Sequence, residues 1–316
     1  MKSFLRRLRG WVLQPQISLF HEFRPPPYGG ANQFFMALRT QLQQRGYTVS
    51  DNVIASKTKS CLLNSFAFDV DLLRKLNRKN CTIVHRVDGP VGTYRGTDHT
   101  IDEQVAQLNQ EFADATIFQS HYSLQANLDL GFKFKNPTVV LNAADHRIFA
   151  RKTLPFDPNR KIKLIATSWS DHPNKGGPVY KWLDTQLDWD RFEFTFVGRT
   201  QFEFQNIKSL PAVPSQELAT LLQQHDIYIT ASLHESCSNA LIEALSVGLP
   251  AIYVQSGGNA EIVNQAGFGF TDKAEIPSLL QRLADEYQNR QAQITLSTLD
   301  EVVDQYLLAM DIGRSL

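Results

Sequence analysis

Short apolar runs alternate along the chain with stretches whose apolar residues recur at helical spacing. ISLFHEF (17–23) reads as a strand, PPPYGG (25–30) as a loop, and ANQFFMALRTQLQQRG (31–46) as an amphipathic helix closed by Gly46. CLLNSFAF (61–68), CTIVHRV (81–87), ATIFQS (115–120) and NPTVVLN (136–142) are further strands, and IDEQVAQLNQEFAD (101–114) is a helix. A second series follows. KIKLIATSW (161–169), FEFTFVG (192–198), DIYITAS (226–232) and AIYVQS (251–256) are its strands. VYKWLDTQL (179–187), SQELATLLQQH (215–225) and most of HESCSNALIEALSVGLP (234–250) are its helices.

Such β-α alternation predicts an α/β fold with parallel sheets covered on both faces. The break between the series, ADHRIFARKTLPFDPNR (144–160), carries two prolines and mixed charge. It divides the chain into residues 1–150 and 151–316, with the last helix a candidate to pack back on the first domain. A length of 316 residues suits two such domains. Two Rossmann-like sheets facing a central cleft would bind ligands at the carboxyl ends of their strands.

Composition narrows the function classes. Lys plus Arg and Asp plus Glu are both 32, so no global field favours nucleic acid. Cys61, Cys81 and Cys237 lie far apart with no metal-ligand spacing, which argues against a disulfide framework or zinc and fits a reducing cytoplasm. No apolar run is long enough to span a bilayer. Residues 1–13, MKSFLRRLRGWVL, are too interrupted by arginine for a signal peptide. They read as a short helix, packed on the protein or resting peripherally on an anionic membrane surface.

Chemistry concentrates at the predicted strand ends. LHESCSN (233–239) is a strand-to-helix turn in which Glu235 can face a ligand. The amides of Cys237, Ser238 and Asn239 approach a helix N-terminus, a setting suited to phosphate. Glu243 follows among Ala240, Leu241, Ile242, Ala244 and Leu245. A carboxylate there needs a partner, and the two hydroxyls of a ribose would supply one. Ser256, Gly257 and Gly258 end another strand, Gly198 and Arg199 a third, NKGG (174–177) follows a fourth, and Gly29 and Gly30 precede the first helix. In FDVDLL (68–73) the two aspartates could hold a metal, but a helix N-cap is the simpler use. The loop GPVGTYRGTDHT (89–100) is either an acceptor-selecting or a plain surface loop.

ESCSNALIEALSVGLPAIYVQSGGNAEIV resembles the C-terminal signature of family 4 retaining glycosyltransferases, enzymes of the two-domain GT-B architecture. YGGANQFFMALRTQLQQRGYTV is similar to that family's N-terminal glycine loop, and VVLNAADHRIF to its interdomain segment. The resemblance implies hexose transfer from a nucleotide diphosphate sugar to a glycan or lipid-linked acceptor, with retention and without cofactor or metal. It implies that Glu243 binds the ribose, Glu235 lies against the sugar, Lys175 meets the diphosphate, and His85 reaches the sugar. Gly29, Gly30, Ser238, Asn239 and Ser256–Gly258 would border the donor. One departure stands out: Ser168 or Ser170 occupies the place of a second cation, which Arg199 could supply from the neighbouring strand. A non-catalytic nucleotide-sugar binder is the alternative. A dinucleotide-dependent oxidoreductase is a further one, weakened by the lack of GxGxxG after the first strand.

Overall fold

The computed structural model describes residues 14–25, 29–76 and 80–311. The basic segment 1–13, with its proposed membrane contact, lies outside the described residues. The chain forms two compact units. The first holds the chain up to Arg24, Ala31–Leu141 and the chain from Leu299; the second holds Asn142–Thr298 with Pro25, Gly29 and Gly30. The crossing thus lies at Leu141–Asn142, ahead of the proline-bearing segment, because residues 144–160 already pack and bond within the second unit: Lys152 N donates to Val247 O (2.8 Å).

The first unit is a six-stranded sheet in the order β2-β1-β3-β4-β5-β6. Its strands are β1 (Ile17–Phe20), β2 (Val49–Asp51), β3 (Ser60–Asn64), β4 (Thr82–Val87), β5 (Ala115–Phe118) and β6 (Pro137–Val139). All pair in parallel. Around them lie α1 (Gly30–Gln44), α2 (Val70–Lys75), α3 (Val91–Arg95), α4 (Thr100–Phe112) and α5 (His121–Asp129). β1 and β3 are buried at every position, which is why they read as unbroken apolar runs. The register of β3 and β4 brings the Cys61 and Cys81 thiols, distant in sequence, to 3.1 Å while both remain free cysteines.

The second unit has the order β12-β11-β10-β7-β8-β9, again all parallel. β7 is Ile162–Ser168, β8 Phe192–Gly198, β9 Lys208–Leu210, β10 Ile227–Thr230, β11 Ala251–Val254 and β12 Gly267–Phe270. The helices are α6 (Gly177–Gln186), α7 (Ser215–Gln223), α8 (Asn239–Val247), α9 (Asn259–Val263), α10 (Ile276–Asp285) and α11 (Tyr287–Ala292). Leu164, Phe194, Phe196, Ile227 and Ile229 pack in one core with Leu183, Leu280, Leu283 and Tyr287. The chain starts at β7, runs outward to β9, then crosses to β10 on the other side. That reversal makes the gap between β7 and β10 the topological switch point, where open α/β sheets bind ligands.

The last helix, α12 (Leu299–Ala309), belongs to the first unit, where Arg45 pairs with Asp300 (3.0 Å) and with Asp304. No helix among the described residues is long and apolar enough to cross a membrane.

Candidate functional site

At the switch point of the second sheet, β7 leads into a turn and the short 3-10 helix Pro173–Lys175. Gly176 follows with φ of 81°, and a Cβ there would lie 2.5 Å from the Ala231 Cβ. Only glycine lets this loop rest on the end of β10, and Leu233 N ties it down by donating to Asn174 O (2.8 Å). The consequence is that Lys175 Nζ forms an ion pair with the Glu235 carboxylate.

The end of β8 is drawn onto the same place. Gly198 has φ of 130°, and a Cβ on it would collide with Ser168 O. Arg199 N donates to that oxygen at 2.9 Å. The Arg199 guanidinium sits 4.5 Å from the Trp169 ring centroid, a cation–π contact that orients it. Lys175 and Arg199 line one cavity, with Ser168, Ser170, His172 and Thr200. Ser168 Oγ donates to Ser170 O (2.6 Å) and Ser170 Oγ accepts from His172 N (3.2 Å). These two serines shape the turn, and the second positive charge in the cavity comes from Arg199.

The Glu235 turn is stitched to the turn after β11. His234, in the left-handed region with φ of 55°, donates from its backbone N to Ser256 Oγ (3.0 Å). Gly258 N donates to Glu235 O (2.8 Å), and a Cβ on Gly257 would lie 2.4 Å from that oxygen. Ser256–Gly258 therefore support Glu235 from behind. Ser238 is the N-cap of α8, its Oγ accepting from Leu241 N (3.3 Å), and Asn239 Oδ1 accepts from Asn142 Nδ2 (2.9 Å). The backbone of Ser236-Cys237-Ser238 needs no glycine, because Gly257 makes the close approach instead. Nearby, Asn259 Oδ1 is buried without a hydrogen bond among the described residues, an uncommon state for a buried acceptor.

Glu243 lies in the second turn of α8, partly exposed. No described residue donates to its carboxylate, and burial among apolar side chains pushes it up to about 8. It is therefore largely protonated at neutral pH. Burial likewise pushes the Tyr180 hydroxyl up to about 12, despite its bond from Ala231 N (3.1 Å).

In the first unit, the surroundings of His85 are set by the core. His85 is fully buried, with Nε2 on Ser65 O (2.9 Å) and Nδ1 beside Asn109 Nδ2 (3.3 Å). Burial lowers it to about 4. Both ring nitrogens are engaged in the core. At this unit's own switch point, between β1 and β3, His21 bonds Asn32 (3.3 Å) and Asn64 (3.0 Å). Gly29, with φ of 47°, precedes α1, and Gly30 is the first residue of that helix. Asp69 caps α2 by accepting from Leu72 N (2.9 Å), while Asp71 pairs with Arg74. Among the described residues no group of three His, Cys, Asp or Glu could hold a metal ion. Residues 89–100 are ordered as α3 and a turn, because Asp102 accepts from Val91 N (2.6 Å), Gly92 N (3.0 Å) and His99 Nδ1 (2.8 Å).

Residues 183–287 match the family model described as glycosyl transferases group 1. Comparison with curated proteins finds no match. Among solved structures, sucrose-phosphate synthase from Thermosynechococcus elongatus superposes with a TM-score of 0.70 at 14% identity, over 92% of this chain and 96% of that one. HepE of Anabaena in complex with UDP-glucose gives 0.70 at 16%, over 93% and 98%. A glycosyltransferase from Rickettsia africae gives 0.63 at 12%, over 96% and 100%. At these identities the likeness establishes the fold: two Rossmann-like units of GT-B type.

Proposed function

We propose that this chain, which carries a group 1 glycosyltransferase domain in its second unit, transfers a hexose from a nucleotide diphosphate sugar to a glycan or lipid-linked acceptor. The observation that carries the reading is the Lys175–Glu235 pair at the β7/β10 switch point, with Arg199 on the same cavity and Glu243 one turn into α8. Breaking a sugar–phosphate bond builds negative charge on the departing diphosphate and positive charge on the anomeric carbon. Lys175, Arg199 and the amide end of α8 would take the former, with no metal required. Glu235, released from Lys175 as that cation turns to phosphate, would face the sugar.

Glu243 would accept the two ribose hydroxyls, a pair of donors that favours its ionised form. In the family that the C-terminal signature resembles, no enzyme carboxylate acts as nucleophile and the acceptor hydroxyl enters on the departing face with retention, and we extend that reading to this chain. The UDP-glucose complex of HepE makes uridine the first base to try. We read the enzyme as cytoplasmic, a reading that rests on three cysteines held as free thiols, as suits a reducing compartment. A thermal-shift screen with UDP, GDP, ADP and their sugars, followed by a transfer assay, tests the proposal. Stabilisation by one diphosphate with turnover of its sugar is expected. Saturable binding without turnover would favour a non-catalytic binder, and no binding at all would overturn both readings.

A further inference from the structure

In the first unit, Asp88 follows the last residue of β4 at the carboxyl edge of the sheet, the edge at which ligands of such sheets bind. Its carboxylate is held on one side only. Arg86 Nη1 reaches Oδ1 at 3.4 Å, and Gln119 Nε2, just past β5, donates to the same oxygen. Its backbone carbonyl accepts from Asn127 Nδ2 (3.2 Å). No described residue donates to Oδ2, and the side chain is 36% exposed.

Arg86 by contrast is completely buried. It also donates to Asn64 Oδ1 (3.1 Å) and from Nε to Tyr306 Oη (3.2 Å), and it lies 4.9 Å from the Phe34 ring centroid. Burying a guanidinium in a core is costly, and apolar residues of similar volume would usually serve stability as well. Asp88 keeps one oxygen turned outward from a fixed mount.

We propose that Asp88 is an acceptor-binding residue whose Oδ2 accepts a hydrogen bond from a sugar hydroxyl, and that Arg86 and Tyr306 are its positioning residues. The ligand is a neutral carbohydrate. The Arg86 charge cancels that of Asp88 locally, so the site offers an acceptor for hydroxyl groups without the net charge that would draw a cation. The inference rests on the glycosyltransferase reading for the identity of the ligand as an acceptor, but the binding itself is measured separately.

The test uses the full chain, wild type and Asp88→Asn, which keeps an oxygen for Arg86 and Gln119. Binding of UDP, GDP and ADP is measured by calorimetry. Binding of methyl glycosides of glucose, galactose and N-acetylglucosamine at millimolar concentration is measured by saturation-transfer NMR. At least one glycoside is expected to bind the wild type, with its Kd raised about tenfold or more in Asp88→Asn. The nucleotide Kd should stay within about twofold. Tyr306→Phe, which leaves Asp88 in place but frees the Arg86 Nε–H, should weaken the same glycoside by a smaller factor with nucleotide binding unchanged. No glycoside binding to the wild type, or equal binding in both variants, overturns the proposal. If glycosides behave as expected while no nucleotide binds, Asp88 stands and the donor reading fails.

Discussion

On either side of β10 in the second unit lies a carboxylate, Asp226 just before the strand and Glu243 in α8 beyond it, and the chain treats them in opposite ways. At the amino end, Asp226 is 1% exposed and fully compensated. Arg160 meets it at 2.7 Å, Lys152 at 3.4 Å, and Lys163 N donates to it at 3.0 Å. Burial pushes its carboxyl up, but these partners pull harder and hold it below the usual range. In α8, Glu243 has no donor among the described residues and sits at about 8. A carboxylate that serves stability is given its partners by the fold. One left without partners on the ligand-binding edge is set up to receive them from outside.

Substitutions on the two sides should therefore fail in different ways. Asp226→Asn removes the counter-charge of buried Lys152 and should cost about 3–5 kcal/mol of stability. Nucleotide binding by the fraction that stays folded should be unchanged, as read by denaturant titration alongside calorimetry. Because the folded carboxyl of Asp226 is depressed, its contribution is present above the ordinary carboxylate range and is lost as pH falls through the folded value. A variant as stable as wild type would break the comparison from the amino end.

At the carboxyl end the loss should be in rate. Lys175→Ala removes the cation proposed to meet the departing diphosphate and should lower kcat about 10²–10³-fold. Its stability should change by less than about 1 kcal/mol, since the Lys175–Glu235 pair is partly solvated. Steady-state kinetics with the nucleotide sugar identified by the screen checks this, and unchanged kcat would remove Lys175 from the site.

Glu243→Gln gives a smaller effect with a distinctive sign. Between pH 4.5 and about 8 the folded chain holds a proton that the unfolded chain has lost. Wild-type stability therefore falls as pH rises through that window, and below it Glu243 contributes nothing. The glutamine variant escapes the penalty and should gain on wild type by about 2–4 kcal/mol near pH 9, while binding the donor less tightly. Parallel denaturation curves from pH 5 to 9 check it. A constant difference across that range would contradict the raised carboxyl.

The sheet was legible in sequence because its central strands are buried on both faces and read as continuous apolar runs; Ile17–Phe20 and Ile227–Thr230 are examples. Three strands gave no such signal. Val49–Asp51 and Lys208–Leu210 are short, partly exposed edges, and Gly267–Phe270 is half glycine. Glu235, Glu243, Lys175 and Arg199 could be singled out in sequence because strand-end turns are local patterns. The placement of His85 was not local. It depends on Asn109 and the Ser65 carbonyl, which the pairing of β3, β4 and α4 delivers. The clamps made by Asp226 and Asp102 were unread for the same reason: one draws on Arg160 and Lys152, the other orders Val91–Arg95 from the next helix.

The central claim is that Glu243 is held without a partner so that a ribose can supply one. Calorimetry of UDP binding at pH 7, repeated in two buffers of different ionisation enthalpy, measures the protons exchanged on binding. The account predicts release of about one proton from Glu243 by wild type, and a loss of that release in Glu243→Gln. Equal proton exchange by wild type and variant would contradict it.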